Sequence, residues 1–317
     1  MPSAIALAVA ALASGGPIGG PEQHHLSLTR TLGEMVVSFA SAEAGLEGAA
    51  AMCELGETPD ALGRRFEGET HTYTAGGWVG LLHRVRISGL VPRRQYYYRC
   101  SVGDVHGATL RLRAPPARGE LPVTIATVGD MGVGCDQPEC ANATIARLVD
   151  EVSADAYDAV IHVGDIAYTA GDQTVWDAFL NEVEPIAATV PYQVCAGNHE
   201  HYYNFSGYLH RFAMGATAPP SAARAPIVAV DNLKYSFEVG GVHVTAYSTE
   251  HDLGAQLGFL EADLAAVDRA RTPWVVVIAH KPFYCSTQGA PHPRSRATAW
   301  HREIGLLDPW DDRRFSV

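Results

Sequence analysis

Beyond residue 121 the hydrophobic positions fall into short β-branched runs, each ending abruptly in a polar cluster. Residues 123–128 run into Gly129-Asp130, residues 159–163 into Gly164-Asp165-Ile166-Ala167-Tyr168, residues 192–196 into Gly197-Asn198-His199-Glu200, and residues 274–279 into His280. Runs of this length and composition predict buried strands. Between them the period changes: Ile145, Leu148, Val149 and Val152 predict a helix over 141–152, and Leu257, Leu260, Leu264 and Val267 predict one over 257–267. Alternating strands and helices predict an α/β domain that gathers its ligands at the carboxyl ends of the strands.

Upstream the pattern is different. Strand-like runs at 26–28, 35–39, 71–74, 81–87, 95–101 and 109–113, separated by turn residues, predict a small antiparallel sandwich. The stretch Ile87-Ser88-Gly89-Leu90-Val91-Pro92, followed by Tyr96-Tyr97-Tyr98-Arg99, resembles a fibronectin type III strand pair, in which a tyrosine buries its ring and bonds its hydroxyl to backbone. Gly103-Asp104 reads as a hairpin turn. Ala114-Pro115-Pro116-Ala117-Arg118-Gly119 reads as a linker, because proline interrupts a sheet and composition changes on either side.

Composition narrows the function classes. At 317 residues, 47% hydrophobic and 18% charged, the chain is long enough for two cores. A formal charge of −12 argues against a nucleic-acid surface, which needs clustered Lys and Arg. No transmembrane run is present; the apolar stretch 4–15, ending in Ala11-Leu12-Ala13, is too short to span a bilayer and predicts a cleaved signal peptide, or else an Ala-rich start, since no Lys or Arg precedes it. Two sequons, at Asn142 and Asn204, agree with a secreted or vacuolar glycoprotein. Cys53 and Cys100, and Cys135 and Cys140, are candidate disulfides; Cys195 is expected as a buried thiol and Cys285 has no evident partner.

The residue types at the strand ends point to metal chemistry. Asp130 and Asp165 are hard anionic oxygens, while His280 and the Asn198 carbonyl suit a borderline divalent ion. Tyr168 tilts one metal towards ferric iron, because a phenolate binds iron(III) well and magnesium or calcium poorly. Asp165 has two oxygens, so a pair of ions about 3.5–4 Å apart can share it. His162, inside a strand, is expected to be packed behind the site, and His201 and His251 are pocket candidates. Gly132-x-Gly134 is too short for a nucleotide fingerprint, and Asp136-Gln137-Pro138-Glu139 lacks calcium-loop spacing.

Gly129-Asp130-Met131-Gly132, Gly164-Asp165-Ile166-Ala167-Tyr168, Gly197-Asn198-His199-Glu200 and His280-Lys281-Pro282 resemble four of the five metal motifs of the purple acid phosphatases. Flanking segments agree, among them Val190-Pro191-Tyr192, Ser248-Thr249-Glu250-His251-Asp252 and Thr272-Pro273-Trp274, so that the similarity runs from about residue 22 to 288. The resemblance implies two domains: an all-β fibronectin type III-like sandwich over 21–114, then, after a linker at 115–120, an α/β metallophosphoesterase domain over 121–288, a β-sandwich flanked by helices. Residues 1–20 are the expected leader. The resemblance further implies that Fe(III) takes Asp130, Asp165 and Tyr168, that a divalent zinc, manganese or iron takes Asp165, Asn198 and His280, and that His199 faces the substrate. Small phosphate monoesters would be hydrolysed by a metal-bound hydroxide; diesters or nucleotide pyrophosphates, and a non-catalytic role, are the alternatives.

One motif is missing. The family's fifth, Gly-His-x-His, supplies one histidine to each metal, and after His280 only His292 and His301 occur, neither in that context. From residue 289 the sequence loses strand and helix period and becomes Pro- and Arg-rich. Such a tail is expected from an intron read through or a frameshift, leaving the domain incomplete at its carboxyl end and the chain a poor enzyme or none.

Overall fold

A computed structural model describes residues 18–134, 140–215 and 231–282. The expected signal peptide, Cys135, Cys285, His292, His301 and the divergent tail lie outside the described residues.

The amino-terminal domain is built from β1 (Glu22–Leu28), β2 (Met35–Ser41), β3 (Ala51–Gly56), β4 (Arg64–His71), β5 (Leu81–Ile87), β6 (Gln95–Val102), β7 (Val105–His106) and β8 (Leu110–Arg113). All pairings are antiparallel, in the order β1-β2-β5-β4-β3-β6-β7, with β8 also on β6. β4 pairs through Arg64–Glu67 with β3 and through Gly68–His71 with β5, so it passes from one face of the sandwich to the other. Alternating side chains of both faces, including Leu26, Val37, Phe39, Cys53, Val85, Ile87, Tyr98 and Leu112, close the core. Tyr96 is buried and its hydroxyl accepts from Val91 N at 3.0 Å, as the Tyr96-Tyr97-Tyr98 run predicts. Cys53 and Cys100 face each other across β3 and β6 and form a disulfide. Cys140 is disulfide-bonded as well, and Cys195 is buried and free.

One expected strand is displaced and one unexpected strand is added. The strand expected at 71–74 lies instead at Arg64–His71, and Ala51–Gly56 adds a strand that the apolar pattern did not reveal. Half of Arg64–His71 is charged and none of it is buried, so hydrophobic alternation is weak there. Tyr73, which suggested a strand, stacks on Trp78 with ring centroids 4.6 Å apart.

The second domain is a pair of three-stranded sheets with helices. β9 (Ile125–Val128), β10 (Ala159–Val163) and β11 (Tyr192–Cys195) are parallel with β10 central; β12 (Lys234–Val239) and β13 (Val242–Tyr247) are antiparallel, and β14 (Trp274–Ile278) lies parallel to β13. The helices are α1 (Asn142–Ser153), α2 (Thr174–Ala187), α3 (Ser206–Arg211) and α4 (Gly254–Ala265). α1 buries the predicted Ile145, Leu148, Val149 and Val152. α4 does not follow its apolar period: its buried residues are Gln256 and Asp263, while Leu264 is 40% exposed. Hydrogen bonding decides this. Gln256 bonds both N and O of Ser248, and Asp263 accepts from Ser236, His243 and Thr245. On β14, Trp274, Val276 and Val277 are likewise exposed. No helix among the described residues is long and apolar enough to cross a membrane.

The two domains share one continuous hydrophobic core. Buried polar bonds reinforce the seam: Ser27 Oγ donates to Ala213 O at 2.9 Å, Leu28 N to Gln193 Oε1 at 2.9 Å and Tyr98 Oη to Ala188 O at 3.1 Å. At its centre the fully buried Arg211 guanidinium pairs with Asp177 at 2.7 Å and donates to Tyr73 Oη and Gln23 Oε1, with Trp78 beneath it at 4.7 Å. Removing one member of such a pair leaves the other charge buried. Arg211→Met should therefore destabilise the chain by about 3–5 kcal/mol, read as a lower urea midpoint.

His83, buried between Ser41 Oγ and Thr70 Oγ1 at 2.9 Å each, is lowered by burial to about 4. Because the folded state holds this histidine below its unfolded value near 6.5, the unfolded chain binds the proton first as pH falls. The stabilisation is full above about pH 6.5 and is lost towards pH 4, up to about 3 kcal/mol. The thermal midpoint should accordingly drop between pH 7 and 4.5, less steeply in His83→Gln.

Candidate metal centre

Register places the polar strand ends side by side. In the parallel sheet Ile161 lies opposite Thr127 of β9 and Gln193 of β11, so the segments after these strands emerge at one edge. Their backbones are then joined directly: Asp130 N donates to Gly164 O at 3.2 Å and Gly132 N to Ile166 O at 2.9 Å. β14 of the other sheet brings His280 to the same point. Gly164 is needed at this junction, where φ is +83° and a Cβ would fall 2.8 Å from both Gly197 Cα and His280 Cβ. Gly197 is equally confined, since a Cβ there would lie 2.3 Å from Asp165 Oδ1.

The result is a close group of ligand atoms. Asp130, Asp165 and His280 each present one within 4.8 Å of the others. His280 Nδ1 donates to Val163 O at 2.9 Å, which fixes the ring and turns Nε2 towards Asp165 Oδ1, 3.3 Å away. A histidine bonded to carbonyl through one nitrogen and aimed at a carboxylate with the other has the arrangement of a metal ligand. Tyr168 Oη donates to Asp130 Oδ1 at 3.1 Å, and its ring lies 4.4 Å from that of His199. Asp130, Asp165 and Tyr168 all have left-handed backbones, with φ of 53°, 50° and 52°, a conformation unusual outside glycine that is held here by the surrounding bonds.

Electrostatics follow from this crowding. Burial works against the charged forms of Asp165 and His280, but their mutual bond prevails: Asp165 is held below the usual carboxylate range, and His280, with Val163 O and Asp130 adding to the effect, is raised to about 9. Burial and the two neighbouring carboxylates push the Tyr168 hydroxyl up. The group thus concentrates negative charge at a point that favours a cation. Two carboxylates, an imidazole and an adjacent phenol fit a hard or borderline metal ion.

Asn198 and His199 open a single 3-10 turn, Asn198–Glu200, directly after β11. His199 N donates to Asp165 Oδ1 at 2.9 Å, and its half-exposed imidazole has Nε2 3.8 Å from Asp165 Oδ2. His201 is exposed, with Nδ1 2.6 Å from Asn198 O, and His251 sits against Phe205 and Ser248 Oγ. His162 is packed behind the centre as expected, buried with Nδ1 2.9 Å from Tyr192 Oη, and burial lowers it to about 3.

Glu200 is a member of the site to which its sequence motif assigns no task. Its carboxylate is buried and accepts from Asp165 N at 2.9 Å, Ile166 N at 2.9 Å and Gly197 N at 2.8 Å. Burial pushes its carboxyl up, against the pull of those donors. Its spacing, three residues after Gly197, is that of a side chain turning back to bond the backbone before a helical turn.

Residues 21–112 match the family described as "Purple acid Phosphatase, N-terminal domain", and residues 102–311 match "Calcineurin-like phosphoesterase". Among relatives, "Acid phosphatase type 7" of Homo sapiens is 33% identical, covering 86% of this chain and 61% of its own length, and "Purple acid phosphatase 21" of Arabidopsis thaliana is 31% identical, covering 86% and 60%. The chain thus spans about three fifths of the length of these relatives. A solved purple acid phosphatase from yellow lupin seeds superposes with a TM-score of 0.73 at 24% identity, over 86% of this chain and 52% of that one, which is a likeness of fold. Motifs, architecture and family matches agree: the chain belongs to the calcineurin-like phosphoesterases and carries an amino-terminal domain of the purple acid phosphatase type.

Proposed function

We propose that the chain is an acid phosphatase that hydrolyses small phosphate monoesters with a binuclear centre of Fe(III) and a divalent zinc, manganese or iron. What carries the reading is the grouping of Asp130, Asp165 and His280 with the Tyr168 hydroxyl on Asp130. Asp130, Asp165 and Tyr168 would hold the ferric ion, and Asp165, Asn198 and His280 the divalent one, with Asp165 shared. Such ions polarise a phosphoryl oxygen and make water a nucleophile near neutral or acidic pH.

The remaining work belongs to side chains. His199 stands half exposed beside Asp165 with Nε2 free to turn towards a substrate, which suits it to bond the phosphate or to protonate the departing alkoxide. Val163 O keeps the His280 tautomer fixed, and Glu200 keeps the two loops in place. The Cys53–Cys100 disulfide supports a secreted or vacuolar setting, where such bonds persist.

A second reading, a non-catalytic member of the family, is favoured by one observation. Among the described residues a single histidine, His280, joins the two aspartates. Metal content and hydrolysis of a panel of monoesters, diesters and nucleotide pyrophosphates separate the readings. Two metals per chain with preference for monoesters supports the first; far less than two, with no ester cleaved, supports the second.

Two outcomes are specific to named residues. Iron-loaded protein should be purple through a tyrosinate-to-iron band that disappears in Tyr168→Phe, measured by visible absorption. His199→Ala should lower kcat roughly 10²–10⁴-fold with metal content unchanged; an unaltered kcat removes His199 from the chemistry.

A further inference from the structure

The two loops that carry Tyr168 and His199 are gripped from outside their own domain. Between β4 and β5 the amino-terminal domain forms a short 3-10 turn, Ala75–Gly77. Gly76 lies so close to the second domain that a Cβ would fall 2.8 Å from Gln173 Cγ and 2.8 Å from Tyr203 Cε2. Both neighbours belong to site loops: Gln173 comes five residues after Tyr168, and Tyr203 four after His199. On the far side, Tyr202 and Tyr203 close over Gly171, where a Cβ would meet Tyr202 Cδ1 at 3.3 Å and Tyr203 Oη at 3.7 Å. The contacts run without a gap from the turn through Tyr203 to the segment that follows Tyr168.

These loops need such support. Tyr203, Asn204 and Phe205 are three successive non-glycine residues in the left-handed region, with φ of 53°, 56° and 62°, and Tyr168 and Ala170 are left-handed too. L-residues resist this conformation and keep it only where surroundings over-determine it. Gln173 is held from the same side, by Tyr73 Oη at 3.1 Å and by Arg211 through its carbonyl at 3.4 Å, and its own Nε2 donates to Gly171 O at 3.3 Å.

We propose that the amino-terminal domain is a positioning element of the centre, its Ala75–Gly77 turn bearing on Tyr203 and Gln173 and so setting the spacing between Tyr168 and His199. The mechanical coupling stands on contacts alone; its effect on catalysis rests on the phosphatase reading above.

Gly76 and Gly77 provide a matched test. Both are left-handed, φ +65° and +75°, so alanine strains the backbone at either position, but a Cβ at Gly77 meets nothing within 4 Å. In the metal-free full chain, Gly76→Ala should speed amide hydrogen exchange in residues 168–173 and 201–206 roughly threefold or more, and Gly77→Ala should leave those segments as in wild type. Loaded with iron, Gly76→Ala should shift the tyrosinate band and lower kcat roughly 10-fold or more with a smaller change in KM, since misplaced groups cost rate. Tyr203→Ala should reproduce Gly76→Ala, and Tyr203→Phe, which keeps the ring, should behave as wild type; this pair decides the matter if Gly76→Ala does not fold. Equal exchange in the two glycine variants, or in Tyr203→Ala and wild type, overturns the proposal. A wild-type chain that takes up no iron and cleaves no ester overturns the phosphatase reading instead, while the exchange comparison still decides the coupling.

Discussion

Three backbone N–H groups, from Asp165, Ile166 and Gly197, end on the single buried carboxylate of Glu200. The parallel sheet delivers its strand ends at one edge, but delivery is not placement; the segments beyond β10 and β11 have left the sheet ladder and need other partners for their donors. Glu200 satisfies donors of both segments at once, so neither can move without stranding a buried polar group. The positions of Asp165, Asn198 and His199, and through the Asp130–Gly164 and Gly132–Ile166 bonds also that of Asp130, follow from this one junction.

The ligand-bearing motifs were legible because the physics that builds them is local. An apolar strand closing on Gly-Asp or Gly-Asn-His is visible in a few residues, and β10 and β11 were found almost to the residue. Glu200 was in view but silent, since its task depends on N–H groups 34 and 35 residues away. Arg64–His71 escaped because a strand at the border of two sheet faces has no apolar side to alternate. α4 misled for the opposite reason: Leu257, Leu260 and Leu264 keep perfect helical spacing, but Gln256 is turned inward by the loop after β13, at Ser248, and Asp263 by Ser236, His243 and Thr245 of the folded sheet.

The seam between the domains was the least legible part. Arg211, Asp177, Gln23, Tyr73 and Trp78 come from four separate stretches of chain, and none is unusual where it stands in sequence. Together they bury a charge that pairing and ring contact make tolerable. The same residues border the segment between Tyr168 and α2, so cohesion of the domains and geometry of the centre draw on shared bonds.

That sharing bears on how such a chain can change over evolutionary time. A sandwich domain joined by a proline-rich connector has the outline of an interchangeable module, free to be lost, duplicated or swapped between genes. The buried guanidinium of Arg211 forbids it, because Gln23, Tyr73 and Trp78 are encoded before the connector while Asp177 and Arg211 itself are encoded after it. The two halves are bound to be inherited as one unit, and substitutions at Gln23, Tyr73 or Trp78 on one side are tolerable only alongside compensating ones near Asp177 and Arg211 on the other.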